Sequence, residues 1–285
     1  MKVYSVSGYL LIILHMVAGG LTSPAEWSFL TGASGALLYL LFVWFLAGIY
    51  LTDVIHMGVA HRALDFKPGF TKFVSVLFNT VGIYINPTTW VNRHRHHHSF
   101  SDQPGDPNKL AEDGFWKTMY LCLFPYQCGS NLANDAILKS RWMRLISTPA
   151  YAVFSQFFSY IVVWLLVGEW QYALSLWLGV RFIALWVNMI QNYWSHDRRF
   201  GSRKYPDDED NAMNLCEWLP VTATFSACLQ NNHHHYPSFL RTSHDSGQYD
   251  FGLITIRWLK NLGVVQASRS GLRLPQGVTL SEPGL

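Results

Sequence analysis

Apolar residues fill four long stretches of this chain, at residues 5–22, 36–55, 149–167 and 171–190, with almost no charge inside them. A helix crossing the hydrocarbon of a bilayer, about 30 Å, needs roughly 20 mostly apolar residues. Each stretch therefore predicts a transmembrane helix. A fifth apolar stretch, 73–90, is interrupted by Asn79, Gly82, Asn86 and Pro87 and predicts an interfacial or partly buried helix. Past Ala267 the sequence turns to Gly, Pro and Ser, which predicts a flexible tail over 268–285.

The polar segments add an orientation. The two short connections, 23–35 and 168–170, carry Glu26 and Glu169 but no Lys or Arg. Apart from Lys2 and Arg181, every basic residue lies between Arg62 and Arg144 or after Ile190. The positive-inside rule then predicts both termini and both large polar blocks, 56–148 and 191–267, on the cytosolic side. The expected architecture is all-α: one integral membrane domain over 1–285, with two helical hairpins beneath a cytosolic cap. Bacterial inner membrane and endoplasmic reticulum both suit it. The start, with Met1 and Lys2 ahead of an apolar run, also has the shape of a signal peptide. An intact amino terminus is the reading adopted. Arg181 falls inside the fourth stretch, where a charge costs at least about 2.5 kcal/mol, so it predicts a buried partner or a polar path.

Composition narrows the class. Of 285 residues only 14% are charged and half are apolar, against about 25% charged in soluble domains. A net charge of +3 is too mild for a nucleic-acid reader. Four cysteines, at 122, 128, 216 and 228, form no CxxC pair and suggest neither a thiolate zinc site nor a disulfide framework.

The candidate chemistry lies in twelve histidines, ten of them in four groups at or beyond the cytosolic ends of spans. His56 and His61 sit in HMGVAH; His94, His96, His97 and His98 in HRHHHSFSD; His196 ends NYWSH; His233, His234 and His235 sit in QNNHHHYP. HxxHH places its rings on one helix face. HxxxxH does not: five residues apart on an ideal α-helix, the rings diverge, and they converge only on a metal between them or at a frayed end. Neutral imidazole is a ligand for Zn, Fe, Cu and Ni. Eight imidazoles are too many for one ion, so two metals are implied. Structural zinc usually takes cysteine, and the ExxH pairs of soluble diiron bundles are absent. His15 and His244 stand alone and read as satisfied or solvated side chains.

From about Ala36 to Val265 the chain resembles the membrane-bound fatty acyl desaturases with a histidine-coordinated diiron centre, especially the stearoyl-type enzymes. The matching pieces are HxxxxH after the second span, HRxHHxFS at 94–101, Asp106–Pro107, Asn192-x3-His196, HHxxP at 233–237 and the stretch DFGLITIRWLKNLGVV. The resemblance implies His56, His61, His94, His97, His98, His196, His233 and His234 as ligands of two iron ions, with O2 as co-substrate. It places Asn192 beside the metals through water and Trp90 on the wall of an acyl tunnel. His96 and His235 are extra to the pattern. Asp102, Asp106 and Asp197 are candidates for carboxylates that fix ring tautomers. Gln230 stands where the family's last motif usually has its first histidine. Its amide oxygen is a weaker ligand than imidazole.

The family's tunnel is closed at its far end by side chains of the second span. Here the positions 8 and 12 residues before His56 are Gly48 and Trp44, about 18 Å from His56 for the farther one. Gly48 is expected to leave room for a chain and Trp44 to close the path, favouring an acyl chain that is medium-length or ends near Trp44.

The expected reaction is O2-dependent introduction of a carbon–carbon double bond into an acyl chain linked to CoA, a carrier protein or a membrane lipid. The same scaffold also serves hydroxylases and acetylenases, and a non-catalytic membrane metal or haem protein is the alternative of another class. No HPGG, cysteine cluster or GxGxxG occurs. Electrons must then come from a separate donor, a ferredoxin or small haem cytochrome with its reductase.

Overall fold

The computed structural model describes residues 2–107, 110–124, 128 and 130–268. The predicted tail therefore lies outside the described residues except for Ser268. The chain is predominantly helical, and four of its helical segments are long and apolar enough to cross a membrane: Val3–Thr22, Phe29–Ala60, Pro149–Val167 and Trp170–His196. All four coincide with the predicted stretches. Their outward surfaces carry bare apolar side chains such as Ile13, Leu38, Leu165 and Leu166, which water would not favour and lipid does.

Helix α1 (Val3–Thr22) packs along α2 (Phe29–Ala47) and against α8 (Trp170–Asn192). The first contact is close because small residues line it. A Cβ at Gly19 would meet that of Ala36 at 2.5 Å, the small-residue packing on which membrane helices rely. Ser28 caps α2, accepting a hydrogen bond from Thr31 N. Thr148 and Pro149 start α7 (Pro149–Val167), and Gly168, at φ 75°, turns the chain into α8.

Beyond Ala47 the second span changes its winding. Gly48–Ala60 is a π-helix, a wider coil in which the N–H of residue i+5 bonds back to the carbonyl of residue i. It closes with His61 N donating to His56 O at 3.0 Å. This segment runs into β1 (Leu64–Phe66), which pairs antiparallel with β2 (Val265–Ser268). The small sheet is a departure from the all-α expectation and ties the carboxyl end of the described chain to the end of the second span.

The interrupted apolar stretch is two helices rather than one. α3 (Pro68–Val81) ends at Gly82, and α4 (Pro87–Phe100) begins under an Asn86 cap that accepts from Thr89 N. Asn79 bridges the break by accepting from Ile85 N at 2.9 Å. The residues that spoil the apolar run are thus the ones that make the turn. Arg181 has the polar surroundings it requires. It donates to Gln156 Oε1 (3.1 Å), Ser159 Oγ (3.1 Å), Trp177 O (3.0 Å) and, from the end of α3, Gly82 O (3.4 Å). A cation at that place complements the negative end of the α3 dipole.

The remaining elements are α5 (Leu110–Leu123), α6 (Arg141–Ile146), α9 (Trp218–Ala223), α10 (Gln230–His235) and α11 (Phe251–Asn261). Tyr50, Ile55, Phe78, Val91, Leu138, Met143, Leu240 and Ile256 form one buried cluster joining the π-helix to α3, α4, α6 and α11. It underlies the elements that carry His56, His61, His94, His97 and His98, while Ile190, Trp194 and Leu229 of a second cluster lie beside the elements that carry His196, His233 and His234.

Candidate metal centre

Four elements deliver eight rings. The π-helix carries His56 and, just past its end, His61; α4 carries His94, His97 and His98; the short turn after α8 carries His196; and α10 carries His233 and His234. They gather in two groups, His56–His61–His94–His98–His233 and His97–His196–His234. Within each group one ring nitrogen per residue lies within 4.8 Å of all the others. The π-helix explains how HxxxxH contributes both its rings. A wider coil turns residues five apart onto one side, and the His56 and His61 centroids are 4.7 Å apart.

The Nε2 atoms face one another. His61 to His94 is 2.8 Å, His56 to His233 is 3.1 Å, His233 to His98 is 3.2 Å and His97 to His234 is 3.3 Å. Two adjacent nitrogens each 2.0–2.1 Å from one ion lie about 3 Å apart, so the spacing fits metal ligation. Protonation state fits as well. Burial pushes His61, His94, His98, His233 and His234 well below the ordinary imidazole pKa, leaving them neutral and able to ligate.

The smaller group is wrapped in carboxylates. His97 Nδ1 donates to Asp106 Oδ2 at 2.8 Å, His196 Nδ1 to Asp102 Oδ2 at 2.9 Å and His234 Nδ1 to Asp210 Oδ2 at 3.0 Å. Each bond fixes the tautomer that leaves Nε2 facing inward. Asp102 reaches its ring from a left-handed backbone, φ 58°, which Asp tolerates better than most residues. Burial opposes its ionisation, but His196 and the backbone N–H of Asn211 hold the carboxyl down to about 2. Among the described residues no carboxylate hydrogen-bonds a ring of the larger group. The acids therefore concentrate where imidazoles are fewest.

The other predicted residues divide. Trp90 stacks on His94, centroids 4.8 Å apart. Asn192 lies one turn before His196 and donates to Asn188 O. Gln230 is buried and its amide nitrogen donates to Ala227 O. Asp197 is a correction: both its oxygens are taken by Arg199 Nε at 2.9 Å, because the turn after His196 directs it towards its neighbour rather than a ring. Gly48 is a second correction. A Cβ there would lie 2.0 Å from the Phe225 ring, so Phe225 fills the room expected for a chain. Trp44 packs on Phe225 and Phe251 and donates to Thr222 O. Phe225 and Ser226 hold consecutive left-handed φ values, 52° and 66°, a strained corner that aims the ring at Gly48.

The extra histidines lie outside both groups. His96 bonds Ser130, His235 stacks on Tyr205 with its Nδ1 on Asp208, His15 bonds Ala36 O and His244 bonds Arg241 O. Asp210 escaped the sequence reading. It lies in the acidic run DDED, which reads as a solvated surface until the fold sets it on His234.

The family model described as fatty acid desaturase matches residues 28–245. The chain belongs to the fatty acid desaturase family. It is accordingly an oxidoreductase, a fatty acyl desaturase by family. It is 28% identical to the sn-1 stearoyl-lipid 9-desaturase of Anabaena variabilis, covering 88% of each chain. It is likewise 28% identical to Delta-9 acyl-lipid desaturase 1 of Arabidopsis thaliana, over 80% of this chain and 73% of the relative. Identity is 26% to the hex-5-enoyl-[acyl-carrier protein] acetylenase of Moorena producens, over 78% of this chain and 73% of that one.

Proposed function

We propose that this desaturase holds two iron ions, one among His56, His61, His94, His98 and His233 and the other among His97, His196 and His234, and uses O2 to introduce a double bond into a fatty acyl chain. The gathering of eight imidazoles into two groups is the observation that carries the reading. Iron supplies the O2-dependent C–H chemistry that no acid–base side chain can perform. The chain's own part is arrangement. Burial keeps His61, His94, His98, His233 and His234 neutral, Asp102, Asp106 and Asp210 lock three tautomers, and Trp90 backs His94 so that the ring cannot swing away. The balance is one saturated two-carbon unit, O2, two electrons and two protons giving one alkene and two waters. The electrons come from a separate ferredoxin or small haem cytochrome with its reductase.

The acyl group is carried on a membrane lipid in this reading, as the names of the Anabaena and Arabidopsis relatives favour. The acetylenase relative supports a second reading, in which the same centre acts on an alkene held by a carrier protein. The spans form two hairpins in one membrane domain, with both termini and the histidine-bearing cap in the cytosol.

Purified protein assayed for iron and for O2-dependent lipid products tests the proposal. About two irons per chain and an alkene product are expected, and His94→Ala, His97→Ala and His196→Ala should each lose both. An alkyne or alcohol product would move the assignment to an acetylenase or hydroxylase. Metal-free protein with full turnover would end it.

A further inference from the structure

Away from the histidines, a cavity of about 540 Å³ opens between α3 and α6 at the foot of α7, lined by Lys72, Arg141, Trp142, Arg144, Leu145 and Thr148. Half of its lining residues are cationic, and none is acidic. Lys72, Arg141 and Arg144 are exposed. No ion pair engages any of them among the described residues, whereas Arg62, Arg95, Arg199, Arg203 and Lys204 all pair with aspartates. Three like charges facing one cavity repel each other unless an anion sits between them.

Position identifies the anion. Thr148, which caps α7, lines the cavity, and the span Pro149–Val167 starts at the next residue. The cavity thus lies at the membrane border, where headgroup phosphates are. Its lining is amphipathic: Trp142 and Leu145 stand beside the three cations, and Leu145 is 59% exposed. A soluble phosphate offers nothing to such apolar neighbours. A phospholipid offers both parts, phosphate to the cations and glycerol and acyl chain to Trp142 and Leu145. We infer that Lys72, Arg141 and Arg144 form a binding site for the phosphate of an anionic glycerophospholipid. The site depends on residence in a membrane and is independent of the chemistry at the histidines.

The test uses the full chain in detergent, titrated with phosphatidylglycerol or phosphatidylcholine, with bound lipid counted by native mass spectrometry. Wild type should prefer phosphatidylglycerol. Each surface cation contributes about fivefold in affinity for an anionic lipid, so K72Q/R141Q/R144Q should lose roughly a hundredfold. K117Q/R257Q/K260Q, which removes equal charge elsewhere, should lose little. Should the triple variant fail to fold, K72Q, R141Q and R144Q singly should each show the fivefold loss. Equal losses in both triple variants would reduce the site to general surface charge and overturn it. Unchanged preference in the single variants would overturn it too. Displacement of the lipid by inorganic phosphate alone would show a soluble-anion site instead.

Discussion

At the scale of single residues, the three carboxylates on the smaller histidine group separate from the other acids among the described residues. Asp102, Asp106 and Asp210 each accept a hydrogen bond from an inward-facing ring, whereas Asp197 is occupied by Arg199. Replacing an acid of this kind by its amide keeps the shape and removes the charge that supports the ligand. Asp102→Asn and Asp210→Asn should each weaken metal retention about 10- to 100-fold, measured as iron left after dialysis against a chelator. Asp197→Asn should retain iron as wild type does. Equal retention in all three would remove the carboxylates from the account. Two of these three acids were legible in sequence because they sit near histidine motifs. Asp210 was not, since it is 24 residues from His234 and meets it only through folding.

At the scale of elements, the π-helix over Gly48–Ala60 decides whether HxxxxH can act as a pair. An α-helix repeats every 3.6 residues and would set His56 and His61 on different faces. The wider coil sets their rings 4.7 Å apart. Moving the second ring back one position, with His61→Ala and Ala60→His together, restores the spacing that an α-helix would favour. That double variant should stay as iron-poor and inactive as His61→Ala alone. Recovery of iron and turnover would mean that the winding does not set the pair. The break between α3 and α4 is the converse case. There Asn79, Gly82, Asn86 and Pro87 announce their own turn, and only the assignment to one helix needed revision.

At the scale of the whole molecule, the distribution of basic residues supports the proposal that the histidine-bearing segments share one side of the membrane. In a background with the native cysteines replaced, single cysteines at Ser23 and Ser202 should label from opposite sides of sealed vesicles. Ser23 is half-buried in the first short connection and Ser202 is exposed beyond the last span. Labelling from the same side would overturn the hairpin topology.

The four apolar helices, the clustering of the histidines and the identity of the clustered rings were legible in the residues alone. These are properties of composition and short spacing, and a run of apolar residues or an HxxHH motif carries its meaning locally. Tertiary structure alone decided how the rings divide into five and three. It also decided which acids support them and that Phe225 occupies the space beside Gly48. The physical reason is distance along the chain. His56 meets His233 across 177 residues and Asp102 meets His196 across 94, and no local periodicity encodes contacts made by packing four separate elements together.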